Sequence, residues 1–154
     1  MIGLKRILVP TDFSETAAGA MNYAKALAEA FGGSLHVLHV LEDPLPGWKP
    51  AGHVASVPAI RQNMEQDAAV QISKVLTDPE REKFRAELVT LWGSPFVEII
   101  GYAKSHEIDL IVMGTHGHGP IAHLLLGSVA ERVVRNAPCP VLTVRHPEHE
   151  FVQR

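Results

Sequence analysis

The sequence has little of several features that would define other classes of protein. Its 154 residues include a single cysteine, which excludes an internal disulfide, and aromatic residues make up only 6% of the chain. No apolar run approaches the ~18 residues of a membrane-spanning helix. Positive charge is not in excess, since 14 Lys and Arg face 17 Asp and Glu. These absences argue against a disulfide-stabilised protein, a membrane protein and a protein whose main partner is nucleic acid.

The amino-terminal segment MIGLKRILVP turns polar too quickly to be a signal peptide. The lone Cys139 lies between two prolines at the expected start of a strand, and we interpret it as a small buried apolar residue. Both observations predict a cytoplasmic protein. The length allows one domain with a proper core and is too short for two ordinary domains.

Strand-like and helix-like segments alternate along the whole chain. Short apolar, β-rich runs predict five strands, at residues 7–9, 34–41, 86–92, 110–113 and 140–145. Apolar residues at helical spacing predict the helices between them. These stripes are Ala17, Met21, Ala24, Ala28 and Phe31, then Ile60, Met64, Ala68, Ile72, Val75 and Leu76, then Phe96, Ile99, Ile100 and Ala103, and finally Ala130, Val133, Val134 and Ala137.

This alternation predicts a single α/β domain over residues 1–146. We expect a doubly wound, five-stranded parallel sheet in the order 3-2-1-4-5, with helices on both faces. Four prolines and two glycines in EDPLPGWKPAGHVASVP (42–58) predict an irregular, proline-rich insert over 43–59. Residues 77–84 are expected to form a short turn, and 147–154 a polar tail.

The stretch 114–128, GTHGHGPIAHLLLGS, follows the fourth expected strand and contains repeated glycine. Glycine at such a position allows tight bends and lets main-chain N–H groups approach a ligand. Gly127 and Ser128 open the next helix, whose amino terminus favours anions. In the expected sheet, this stretch and the TDFS loop after the first strand would face one crevice, the usual ligand site of such folds. The alternative is a simple surface loop.

Two other phosphate motifs fit this stretch less well. A Walker A loop, GxxxxGK(S/T), fails because Pro120 stands where lysine is required. A dinucleotide fingerprint, GxGxx(G/A), matches at Gly117, Gly119 and Ala122. Pro120 argues against a helix beginning there, and no acidic residue ends the following strand, so a nicotinamide site is the weaker interpretation.

The pattern Gly114-x2-Gly117-x9-Gly127-Ser128 resembles the nucleotide-binding signature of the universal stress protein family, G-2x-G-9x-G-(S/T). RILVPTDFSE and SLHVLHVLE are similar to that family's first two strands, and the resemblance extends over nearly the whole chain. It implies a single α/β domain, a homodimer, and binding of ATP, because members with the complete signature bind ATP. It implies regulation in the stress response rather than a defined reaction, and leaves open an unidentified protein partner.

The resemblance also implies particular contacts. Pro10, Thr11 and Asp12 would lie beside the ribose and phosphates, with Asp12 near a magnesium ion. A carboxylate oxygen suits Mg²⁺, although Asp12 can equally be a turn or helix-capping residue. The remaining implied contacts are Val40 with adenine through its main chain, Met113 and Gly114 around the ribose, and Gly117, Gly127, Ser128 and Val129 at the phosphates; His116, in a histidine-rich stretch, is a further candidate there.

Three alternatives to a nucleotide-binding regulator remain open from the residues. An ATPase or phosphotransferase could use the same site, but the glycine loop has no lysine and no cluster of magnesium-binding carboxylates, so we expect slow turnover at most. His116-x-His118 and His146-x2-His149 could chelate a metal, without the ligand spacing of zinc enzymes. The third alternative is a purely structural interaction module, because the strand at 140–145 is an expected sheet edge that could pair with another chain. The resemblance implies that two such strands pair in the homodimer.

Overall fold

The computed structural model describes residues 1–44, 56–115 and 126–145. Five strands form one parallel sheet in the order β3-β2-β1-β4-β5, which confirms the predicted order. The strands are β1 (Arg6–Pro10), β2 (Ser34–Leu41), β3 (Glu87–Trp92), β4 (Leu110–Gly114) and β5 (Val141–Val144). The helices are α1 (Glu15–Phe31), α2 (Ser56–Ser73), α3 (Asp78–Lys83), α4 (Pro95–Ser105) and α5 (Ser128–Asn136).

Helices cover both faces of the sheet, as predicted, because alternate side chains of each strand point to opposite sides. On one face, Ile7, Val37 and Val112 pack with residues of α1 and α2. On the other face, Leu8 and Ile111 pack with residues of α4 and α5. The near-continuous apolar character of the central strands is therefore explained by burial on both sides.

Two helices differ from the expected segmentation. The helix α2 begins at Ser56, so residues 56–59 of the predicted irregular insert are helical; residues 45–55 lie outside the described part. The helix α3 replaces the expected turn, because Thr77 and Glu80 form a complete capping box at its amino end. The tail 147–154 also lies outside the described residues.

Some residues of the predicted apolar stripes are exposed. Phe31, Ile60 and Val134 all face solvent, although each fits the helical spacing of its stripe. Phe31 is the last residue of α1, and Val134 lies beside the buried Val133 but turned away from the sheet. Spacing alone therefore marks the buried side of a helix only to within about one residue position on its circumference.

Cys139 is half-buried rather than fully buried. It packs against the core beneath α4 and α5, and burial raises the pKa of its thiol. The thiol therefore stays protonated and behaves as a small apolar side chain, which agrees with its interpretation as an unreactive residue.

No helix in the described part of the chain is both long and apolar enough to cross a membrane.

Candidate functional site

The site lies at the carboxyl edge of the sheet, between β1 and β4. These strands are parallel neighbours, and Leu8 pairs with Ile111. Two residues further along each strand, the register brings Pro10 and Met113 to the same edge. The chain continues from β1 towards β2 on one side and from β4 towards β5 on the other, so this is the point where the strand order reverses. Doubly wound folds bind their ligands at such a point.

The loop between β1 and α1 is fixed by its own main-chain and side-chain bonds. The Thr11 N–H donates to the Leu38 carbonyl of β2 at 2.9 Å. The Phe13 N–H donates to Thr11 Oγ1 at 3.0 Å, and the Ser14 N–H donates to Asp12 Oδ1 at 3.0 Å. Asp12 is thus half-buried and acts as a turn residue, one of its two expected roles. Ser14 caps α1 by accepting from the Ala17 N–H at 3.2 Å.

Gly114 ends β4 directly under the first turn of α1. A Cβ atom added there would lie 2.6 Å from Thr16 Cγ2 and 3.1 Å from the Thr16 carbonyl carbon. The missing side chain therefore lets α1 approach the strand closely. This is a packing reason for the glycine, separate from the ligand contact that the sequence predicts.

The beginning of α5 is connected to the end of β4. The Gly127 N–H donates to the carbonyl of Thr115, the buried residue that follows Gly114. Gly127 is the N-cap of α5, and Ser128 is the first residue of the helix. No described side chain caps this helix end, and Ser128 is exposed. Val129 is half-buried and packs against the core.

Val40 and Met113 flank the site from β2 and β4. Met113 is 6% exposed, and its side chain belongs to the core with its main chain near the carboxyl edge. Val40 is half-buried and pairs with Leu91 of β3, near the carboxyl end of β2.

The structure thus brings most of the predicted site residues to one edge of the sheet. They are Pro10, Thr11, Asp12, Val40, Met113, Gly114, Gly127, Ser128 and Val129. The predicted contacts of His116 and Gly117 lie outside the described residues, as do His118 and the histidines at 146 and 149. Within the described ranges, no group of three or more His, Cys, Asp or Glu side chains is placed to hold a metal ion.

Sequence reasoning missed two residues beside this loop. His39 Nδ1 lies 2.8 Å from the Thr11 carbonyl oxygen, and the His39 ring stacks on Phe13 with 4.4 Å between ring centroids. Phe13 has a φ of 64°, in the left-handed region. The available signal was the polar ring of His39, which interrupts the apolar run from Val37 to Leu41.

A second cleft, of about 460 Å³, opens at the opposite, amino edge of the sheet. Several of its polar groups are already bonded within the protein: His36 Nδ1 lies 2.8 Å from the Tyr102 hydroxyl, and Arg6 pairs with Glu107 at 3.2 Å. Burial lowers the pKa of His36 and raises that of Tyr102 to about 12. We therefore place the candidate site at the carboxyl edge.

The fold and the strand-order reversal between β1 and β4 define a doubly wound, single-domain α/β protein of the kind that binds ligands at such a reversal. The model of the universal stress protein family matches residues 3–145, and the chain belongs to that family. It is 35% identical over 147 residues to the universal stress protein MJ0531 of Methanocaldococcus jannaschii, covering 95% of this chain and 85% of that protein.

Solved structures show the same fold. Protein MJ0577 of the same organism, also a universal stress protein, has a structure 27% identical to this chain with a TM-score of 0.80, covering 98% of this chain and all of that one. A universal stress protein solved in complex with cAMP is 21% identical with a TM-score of 0.68, covering 93% of this chain and 98% of that one.

Proposed function

We propose that this protein binds an adenine nucleotide, as Mg-ATP or as ADP or AMP, at the carboxyl-edge crevice. In this proposal it acts as a nucleotide-dependent regulator in the stress response, with at most slow hydrolysis. The observation that carries the proposal is that the loop after β1 and the amino end of α5 lie at the same edge of the sheet. The loop holding Asp12 and the amino end of α5, which no described side chain caps, lie at the adjacent ends of β1 and β4.

The chemistry of this crevice suits a phosphate chain. The first N–H groups of α5 have no partner within the helix, and the helix dipole gives its amino end about half a positive charge. Gly127 places no side chain over that helix end, and the Ser128 hydroxyl is exposed beside it. Phosphate oxygens are the natural partners of such a helix end.

The remaining contacts implied by the family resemblance would lie along the same carboxyl edge of the sheet. The ribose would lie by Pro10, Met113 and Gly114, and adenine would meet the main chain of Val40. Asp12 would hold Mg²⁺ on the phosphates, since its carboxylate is an oxygen donor of the type Mg²⁺ prefers. A universal stress protein of the same fold was solved in complex with cAMP, which supports an adenine nucleotide as the ligand class; the case for this chain rests on its own residues.

We further propose that the protein works as a homodimer through the strand at 140–145. β5 is at the edge of the sheet, and pairs only with β4 among the described strands. An edge strand with unpaired main-chain groups is suited to pairing with a second copy.

Mass spectrometry of small molecules released from freshly purified protein would test the proposed ligand class. We expect an adenine nucleotide, and calorimetry with Mg-ATP should then give a saturable heat. Absence of both would contradict the proposal. A turnover number of about 1 s⁻¹ or more with ATP would instead show an enzyme of ordinary rate.

The substitution Asp12→Asn separates the metal role of Asp12 from its turn role. Asparagine keeps the oxygen that accepts from the Ser14 N–H, so the loop should retain its shape. We expect affinity for Mg-ATP to fall about tenfold, whereas affinity for ATP in EDTA should stay equal or rise, because a repelling charge is removed. Equal losses with and without magnesium would exclude metal binding by Asp12. Ser14→Ala, which removes the helix cap but no charge, is the matched control.

A further inference from the structure

His39 makes a directed hydrogen bond to the loop that carries Asp12. Its Nδ1 lies 2.8 Å from the Thr11 carbonyl oxygen, which can only accept. Nδ1 must therefore carry the proton, and this fixes the tautomer of the neutral ring. Because the Thr11 N–H already donates to Leu38, both peptide groups flanking Thr11 are bonded to β2.

The Phe13 main chain is held in a conformation that a bulky side chain rarely adopts. Its φ of 64° costs roughly 1–2 kcal/mol relative to the ordinary helical region. Two contacts offset this cost: the Phe13 N–H donates to Thr11 Oγ1, and the Phe13 ring packs on His39 with the planes 33° apart. A strained main chain persists only where its surroundings fix it, and such positions concentrate at ligand sites.

His39 therefore holds the loop at two points, through its Nδ1–H on Thr11 and through its ring on Phe13. Asp12 lies between those two points. The next residue along β2 is Val40, whose main chain is proposed to meet adenine. One strand would thus contact the base directly and set the position of the loop at the phosphate end.

We propose that His39 is a positioning residue for the nucleotide site, holding the Thr11–Phe13 turn in the shape in which Asp12 faces the phosphates. This inference rests on the proposed function. A loop already fixed in its binding shape loses less entropy when the ligand binds, so affinity rises without any contact between His39 and ligand. The effect should depend on the phosphates, because the loop lies at their end of the site.

Two substitutions separate the hydrogen bond from the ring. Asparagine reaches a similar position to Nδ1 with an N–H donor, so His39→Asn keeps the bond to Thr11 and loses the ring contact. His39→Phe keeps a ring against Phe13 and removes the donor. His106→Phe, at the far amino edge of the sheet, controls for the loss of a histidine as such. Calorimetry with Mg-ATP and with adenosine would be run on each variant and on the wild type.

We expect His39→Phe to weaken Mg-ATP binding about tenfold, the loss of roughly one well-formed hydrogen bond to a buried acceptor. Adenosine affinity should change less than about threefold, and His39→Asn should recover most of the Mg-ATP affinity. In the free wild type, the imidazole ¹⁵N shifts should show a protonated Nδ1. His106→Phe should bind both ligands as the wild type does.

Several results would overturn the inference. Unchanged Mg-ATP affinity in His39→Phe would do so, as would equal losses for Mg-ATP and adenosine, which indicate a purely structural role. Proton occupancy on Nε2 instead of Nδ1 would also contradict it. If the wild type itself binds no adenine nucleotide, the proposed function fails along with this inference; if the inference alone fails, wild-type binding remains intact.

Discussion

His36 and His39 lie three residues apart on β2 and have opposite surroundings. His39 faces the loop before α1, whereas His36 points to the other side of the sheet, where Tyr102 of α4 bonds it. His36 is only 5% exposed, and its pKa is lowered chiefly by burial, with Glu87 acting in the opposite direction and His106 and Arg6 reinforcing the lowering. The folded protein thus favours the neutral ring.

A loss of stability in mild acid follows from this. Because the pKa of His36 is lower folded than unfolded, its contribution is complete above its ordinary value of 6.5 and is lost as the pH falls below it. The free energy of unfolding of the wild type, measured with denaturant, should therefore fall more steeply between about pH 8 and about pH 5 than that of His36→Phe.

Tyr102→Phe is the control for this prediction, because it removes the hydroxyl bonded to His36 while leaving the imidazole to titrate. It should keep the wild-type pH dependence. Parallel curves for the wild type and His36→Phe would contradict the role of His36, as would an NMR titration midpoint of the ring above 6.5.

At the scale of whole elements, the sequence predicted most strands and helices correctly because their apolar patterns are local. Buried parallel strands are short and continuous in apolar character, and the helices between them carry stripes of regular spacing. The short helix α3 was missed because its stability depends on the Thr77 capping box and on Phe84 entering the core. Helices of this length have little apolar pattern to detect.

The positions of the proposed site residues in the fold were predictable in the same measure. Asp12 and the glycines lie in two separate segments, each short and continuous in sequence, and the sheet order brings Asp12 and Gly114 to the adjacent ends of β1 and β4. The bond from His39 to Thr11 joins residues 28 positions apart, and depends on the register between β1 and β2. The left-handed conformation of Phe13 could likewise not be predicted from the sequence, because glycine or asparagine is the usual signal for that conformation.

The packing of α1 on β4 gives a prediction about Gly114. A methyl group there would lie 2.6 Å from Thr16 Cγ2, with the Thr16 main chain close behind. We expect Gly114→Ala to lower the free energy of unfolding by about 1–3 kcal/mol, since the helix must move outward. Thr16→Ser, which removes the nearest carbon atom, should restore part of that loss in the double variant.

Gly101→Ala is the matched control for this substitution. Gly101 lies inside α4 and a Cβ there would meet nothing within 4 Å. Alanine should therefore raise the free energy of unfolding by about 0.5–1 kcal/mol, through its better helix propensity. Equal effects of the two substitutions in chemical denaturation would show that the contact with Thr16 is unimportant.

At the scale of the whole molecule, the edge of β5 that pairs with no described strand would determine how two copies join in the proposed dimer. Pro140 and Val144 direct their carbonyls to β4, accepting from the Ile111 N–H at 3.0 Å and the Thr115 N–H at 2.9 Å. Alternate residues of a strand direct their main-chain groups to opposite neighbours, so Val141 and Thr143 present theirs to the open edge. The edge is thus a single row of main-chain donors and acceptors.

Thr143→Pro should abolish the proposed dimer without unfolding the protein. Proline removes an outward N–H and adds a ring on the open side, while the bonds to β4 involve the residues before and after it. Thr143→Val keeps the N–H and serves as the control. Sedimentation at micromolar concentration should give monomers for the proline variant and dimers for the control; a dimer that survives Thr143→Pro would place the interface elsewhere.

The contact between Gly114 and Thr16 also bears on how inactive versions of this protein should be made. A bulky replacement at this glycine would displace the helix whose preceding loop contains Asp12. If such a variant failed to bind ligand, the cause would be the displaced helix and not the loss of a contact between Gly114 and the ligand. If the proposed site is correct, Asp12→Asn or Ser128→Ala would be a cleaner disabled form for work in cells, because asparagine keeps the oxygen that accepts from the Ser14 N–H and Ser128 is exposed.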